Sequence, residues 1–75
     1  MLKIKDNVDL KELENHNFEL VGISYRRKTA IGGEFNINAE TRLITRVHPY
    51  SMREEPTMDE IEMLGIADMV EKVEG

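Results

Sequence analysis

The run Tyr25-Arg26-Arg27-Lys28 sets three cations beside an aromatic ring, and Arg42, Arg46, His48, Tyr50 and Arg53 follow in the next part of the chain. Cations hold phosphates or carboxylates and rings stack on bases, so the chemistry open to such a set is the binding of an anionic partner. Tyr25, Arg26, Arg27, Lys28, Arg42, Arg46, Tyr50 and Arg53 are therefore the candidate surface for one. Against a nucleic-acid partner stands the pI of about 4.9, far from the strongly basic domains that usually grip nucleic acid.

Other chemistry is poorly supplied. Nucleophilic catalysis needs a Cys, or a Ser or Lys activated by a base, and the chain has no Cys. Its remaining candidates are Ser24, Ser51, His16 and His48; the nearest pair, His48 and Ser51, is accounted for by a turn serine and a histidine that precedes Pro49. Glu12 and His16, at helical spacing, offer two metal ligands where three or four are needed. Gly32-Gly33 precedes no helical pattern and is no phosphate loop. The expectation is no catalytic residue, no cofactor and no metal.

These side chains must be positioned by a single small domain over residues 1–75, 30 of which are apolar and 25 charged. Phe18 to Tyr25 is β-branched or aromatic at strand density, with a phase slip at Gly22 that predicts a bulge. Arg26 to Thr29 leads to a loop closed by Gly32-Gly33, and Glu34 to Asn38 alternates Phe35 and Ile37 with polar partners. Asn38-Ala39-Glu40-Thr41 reads as a turn into a third strand, Arg42 to His48. The expectation is an antiparallel three-stranded meander. Its last register stays open between pairing Ile37 with Arg42, which buries Ile44 beside Phe35, and a one-residue slip that buries Leu43 and Val47.

Two short helices frame the meander. Asp9-Leu10-Lys11-Glu12 and Thr57-Met58-Asp59-Glu60 both have capping-box spacing. The first predicts a helix over about residues 10–16, stopped by Asn17 in the left-handed conformation. The second predicts a helix carrying Met58, Ile61, Leu64 and Ala67 on one drifting stripe, with Gly65 tolerated inside it. Met58 and Met69 are expected in the core and Met63 on the surface. After a turn near Asp68, Met69 to Val73 is expected to pair with Leu2 to Lys5, giving short terminal strands and an α+β fold.

Charge is unevenly spread. Residues 21–53 hold six basic and two acidic side chains, net +4, while residues 54–75 hold eight acids against Lys72, net −7. The acidic tail can screen the basic middle within the fold or across a dimer. So small a core is marginal, and without disulfides self-association is the remaining support. No run approaches the about 18 apolar residues of a membrane helix, and Met1 to Asp6 meets charge at every second step, unlike a signal peptide. A cytoplasmic protein without membrane contact is expected.

Lys3 to Glu14 followed by Phe18, the closing Met69-Val70-Glu71-Lys72-Val73-Glu74, and the turn Asn38-Ala39-Glu40-Thr41-Arg42 resemble the small uncharacterised proteins of phages and prophages of Gram-positive bacteria. The resemblance covers both ends and one turn. It implies an α+β fold and an accessory intracellular role, and carries over no site residue. It departs at Asn17 and Asp68, where relatives more often have Gly, so both positions are expected to adopt the left-handed conformation. The function expected is a non-enzymatic accessory interaction module, a homodimer or the binder of another protein; the alternative is a small nucleic-acid-binding domain using the basic meander.

Overall fold

Phe35 and Ile37 face one way and Asn36 the other, as strand geometry requires, and all three are buried, as suits β4 (Glu34–Asn38), the middle strand of an antiparallel sheet. In the computed structural model, which describes residues 1–29, 32–47 and 53–73, the sheet runs β2 (Glu19–Val21), β3 (Ser24–Lys28), β4, β5 (Ile44–Val47) and β6 (Arg53–Glu54). The class is α+β, as expected, but the meander has five strands rather than three.

One added strand arises where a bulge was expected. Val21 pairs with Ser24 across the two-residue turn Gly22-Ile23, with Gly22 at φ 62° in its first central position, so the stretch is a hairpin. At the next hairpin Thr29 N–H donates to Gly33 O at 2.8 Å and Gly32 takes φ 92°. In the β4–β5 hairpin Arg42, at φ 65°, belongs to the turn and not to the strand. Ile37 pairs with Ile44 and Phe35 with Arg46, which is neither register considered above. Ile44 is buried on the same face as in the first of them, but two positions along, because the turn takes up Arg42 and Leu43.

β1 (Leu2–Ile4) and β7 (Val70–Lys72) form the expected antiparallel pair, a separate two-stranded sheet. It leans on the larger one through the bridge of Lys3 to Leu43 and the bond from Ile4 N–H to Arg42 O at 2.9 Å.

The first helical segment, Leu10–His16, is a 3-10 helix. The side chain of Asp9 accepts from Lys11 N–H rather than from Glu12, so the expected capping box does not form, while Asn17 closes the segment at φ 66° as expected. Helix α1 (Met58–Leu64) has the full capping box between Thr57 and Glu60. It stops at Gly65, whose φ of 80° is the left-handed C-cap, so Gly65 ends the helix instead of lying inside it. Asp68 sits in a short 3-10 turn, Ala67–Met69, and does not adopt positive φ, because the reversal has been made three residues earlier by Gly65.

The core lies between the inner face of the large sheet, the helices and β1. Ile4, Leu13, Ile37, Ile61 and Ile66 are fully buried, and Phe18, Tyr25, Phe35, Ile44 and Met69 surround them. Met58, expected in the core, is half exposed. The opposite face carries Arg26, Asn36 and Thr45 side by side across three strands.

Candidate functional site

Strand alternation separates the basic residues of the middle segment. Arg27 lies on the inner face in one cross-strand row with Phe35 and Arg46, whereas Arg26 lies on the outer face opposite Asn36. Arg26 is exposed and meets Glu34 at 3.8 Å. Tyr25 is buried beside Ile37 and offers no ring for stacking. His48, Tyr50 and Ser51 lie outside the described residues, and Arg53 enters only through its backbone, paired with Val47 in β6.

Arg42 points elsewhere in the fold. Its Nη1 donates to the carbonyl oxygens of Lys5 and Val8, both at 2.7 Å, while its own N–H donates to Asn38 O, also at 2.7 Å. One side chain thus ties together two carbonyls of the link between β1 and the first helix, adding a second donor to Lys5 O, which also accepts from Val8 N–H at 3.1 Å, and supplying one to Val8 O. Nearby, Lys3 Nζ donates to Asp6 Oδ1 at 2.9 Å, and this bond, with the charge of Lys3, holds the exposed Asp6 carboxyl below the usual aspartate range.

Arg27 closes the C-terminal ends of both helices. Its Nη1 donates to His16 O at 3.2 Å and Leu64 O at 3.4 Å, the last residue of the 3-10 helix and of α1 respectively. No Lys or Arg stands in the last turn of either, so the cation that suits these negative ends comes from the sheet. Arg46 binds Glu60 Oε2 at 2.8 Å and Glu54 Oε1 at 3.7 Å. The other oxygen of Glu60 accepts from Thr57 N–H at 3.1 Å, so a single carboxylate caps α1 and fastens it to β5.

Between this end of the sheet and α1 is an open cleft of about 290 Å3, lined by Arg27, Lys28, Thr29, Phe35, Arg46, Glu60, Met63 and Leu64. It gathers three of the sequence candidates, Arg27, Lys28 and Arg46, and leaves out Tyr25, Arg26 and Arg42. Phe35 as its apolar floor, Leu64 and Glu60 were not legible as site residues; Met63, 84% exposed, had been read as surface. A second cleft of about 410 Å3, between the terminal strands and the start of α1, presents two carboxylates, Glu55 and Glu71, and one cation, Lys72.

Among the described residues no group of three or more His, Asp or Glu is placed to hold a metal ion, and no helix is long and apolar enough to cross a membrane. No family model, curated protein or solved structure matches the chain.

Proposed function

We propose that the chain is a non-enzymatic accessory interaction module of the cytoplasm that self-associates through the open edge of its five-stranded sheet. The observation that carries this reading is β2. All three of its residues are exposed, and with the turn that follows it presents Leu20, Val21 and Ile23 at 50%, 45% and 60% exposure. An edge strand has unpaired N–H and C=O groups on its free side, and here two of the three side chains beside them, Leu20 and Val21, are apolar, with Glu19 the one charge and no proline. Antiparallel pairing of two β2 edges would satisfy those groups and set Leu20 and Val21, one on each face of the sheet, beside side chains of the second copy.

The nucleic-acid alternative has less to stand on. It calls for a continuous basic surface with exposed rings, whereas Arg26 and Arg27 lie on opposite faces of the sheet, Arg42 serves backbone carbonyls, Arg46 serves two carboxylates and Tyr25 is buried.

Sedimentation velocity at about 100 μM, far above a micromolar dissociation constant, tests the reading. A dimer is expected, reverting to monomer in the Leu20→Lys variant, since a lysine on the edge disfavours strand addition. A parent that is monomeric at that concentration overturns it. Retained assembly in the variant would move the contact away from β2, and a heavier species formed only with single-stranded DNA at low salt would put the alternative in its place.

A further inference from the structure

The cleft between α1 and the end of the large sheet has features the edge strand lacks. Arg27 and Arg46 against Glu60 leave it net +1, in a chain whose net charge is −5; Lys28 borders the cleft, but strand alternation puts its side chain on the outer face with Arg26, opposite Glu34. Both oxygens of Glu60 are already engaged, one by Thr57 and one by Arg46. Among the described residues no carboxylate pairs with Arg27. Arg27 uses Nη1 alone on its two carbonyl partners, and a guanidinium has further N–H groups on Nη2 and Nε. Its position is already fixed by those partners, so a carboxylate meeting it would find a preset donor and little side-chain entropy left to lose.

Size narrows the occupant. About 290 Å3 stands at the lower end of the size range of small-molecule pockets, roughly 300–1,000 Å3, and the cleft is open and does not enclose an occupant, which suits one or two side chains of a segment that continues over the surface. The floor is Phe35 and the wall is Leu64 and Met63, of which Met63 is 84% exposed. Methionine is flexible and polarizable, and an exposed one beside a cleft can close over an apolar side chain of variable shape.

We propose that this cleft is a docking site for a short acidic segment of a partner protein, which sets a carboxylate against Arg27 and buries a neighbouring apolar side chain between Phe35 and Met63. The inference shares with the function above only the premise that the chain binds protein; it does not require self-association, which sedimentation measures separately. The acidic character of the partner follows from charge complementarity, and its apolar anchor from the floor of the cleft.

The test uses the full chain, labelled with nitrogen-15, titrated with the capped peptide acetyl-Asp-Glu-Leu-Asp-Glu-amide. Amide signals of Lys28, Phe35, Met63 and Leu64 are expected to shift together, with saturation in the low millimolar range or below. Replacing the peptide leucine by glycine should weaken binding about threefold to tenfold, the value of one modest apolar side chain. Met63→Glu should weaken it about tenfold, through lost apolar contact and added repulsion, whereas Met63→Lys should bind the acidic peptide more tightly than Met63→Glu by at least as much. Met63 is exposed, so neither variant threatens the fold. The proposal is overturned if the shifts map to other residues, if no binding is seen at several millimolar peptide, if Met63→Glu and Met63→Lys bind alike, or if inorganic phosphate or single-stranded DNA shifts the same signals at lower concentration than the peptide.

Discussion

Arg42 and Arg27 are the same residue type, both drawn from the basic middle of the chain, and both donate through Nη1 to two backbone carbonyls. Their surroundings differ. Arg42 reaches Lys5 and Val8 at 2.7 Å from a turn residue at φ 65°, and it lines neither of the two clefts described. Arg27 reaches His16 and Leu64 at 3.2 and 3.4 Å and looks onto open space lined by Phe35 and Met63. Short, charge-assisted bonds with nothing beside them hold a fold together; longer ones next to a void leave a cation available. The difference teaches that a basic segment is no surface until the destination of each guanidinium is known.

The largest effect follows from Arg42. Arg42→Met takes its donor from Val8 O and one of two donors from Lys5 O, both in charge-assisted bonds of 2.7 Å, and the loss should be about 2 to 3 kcal/mol, read as a lowered urea midpoint. Arg27→Met removes longer bonds and should lose about 1 to 2 kcal/mol. Equal losses would erase the comparison.

Next comes the helix end that Arg27 serves. Gly65→Ala places a Cβ at φ 80° and 3.2 Å from His16 Nδ1, so about 1 to 2 kcal/mol of thermal stability should be lost. The N-terminal caps sharpen the contrast between the two helices. Thr57→Ala breaks a reciprocal box and should lose about 1 kcal/mol, against about 0.5 kcal/mol for Asp9→Ala, which gives up one bond. A reversed order in denaturant midpoints would contradict the local geometry.

How far the sequence carries is clearest at these same positions. The capping box at Thr57 and Glu60 and the left-handed Asn17 rest on local rules, and local rules suffice for them, whereas the pairing of the terminal strands, which joins opposite ends of the chain, follows from two short strands of matching length. The hairpin at Gly22 was missed because one glycine serves equally a bulge and a two-residue turn, and only the pairing of Val21 with Ser24 distinguishes the two. The end of α1 was missed because the stripe of Ile61, Leu64 and Ala67 continues past Gly65 in sequence, although the chain does not. At the site, cations at 27, 28 and 46 are visible as residue types. Their separation from Arg26 and Arg42 depends on register and on backbone carbonyls from distant segments, neither of which has a sequence signal.

The smallest effect concerns acid. Asp6 is held below the usual aspartate range by the bond from Lys3, so it binds a proton less readily folded than unfolded. Its contribution is therefore present above the unfolded value of about 3.9 and is lost as pH falls through the lower folded value. A carboxyl titration followed by NMR should place Asp6 below the ordinary aspartate range, and Lys3→Met should move Asp6 up toward that range. No change in the variant would remove Lys3 as the cause.

The most direct measurement of the contrast between the two arginines is the exchange of their guanidinium protons with water, followed by NMR at low temperature. The account predicts that Arg42 gives separate, slowly exchanging Nη signals, that those of Arg27 exchange faster, and that those of the exposed Arg26 are averaged by rapid exchange. Guanidinium protons of Arg42 exchanging as fast as those of Arg26, or more slowly exchanging protons on Arg27 than on Arg42, would contradict it.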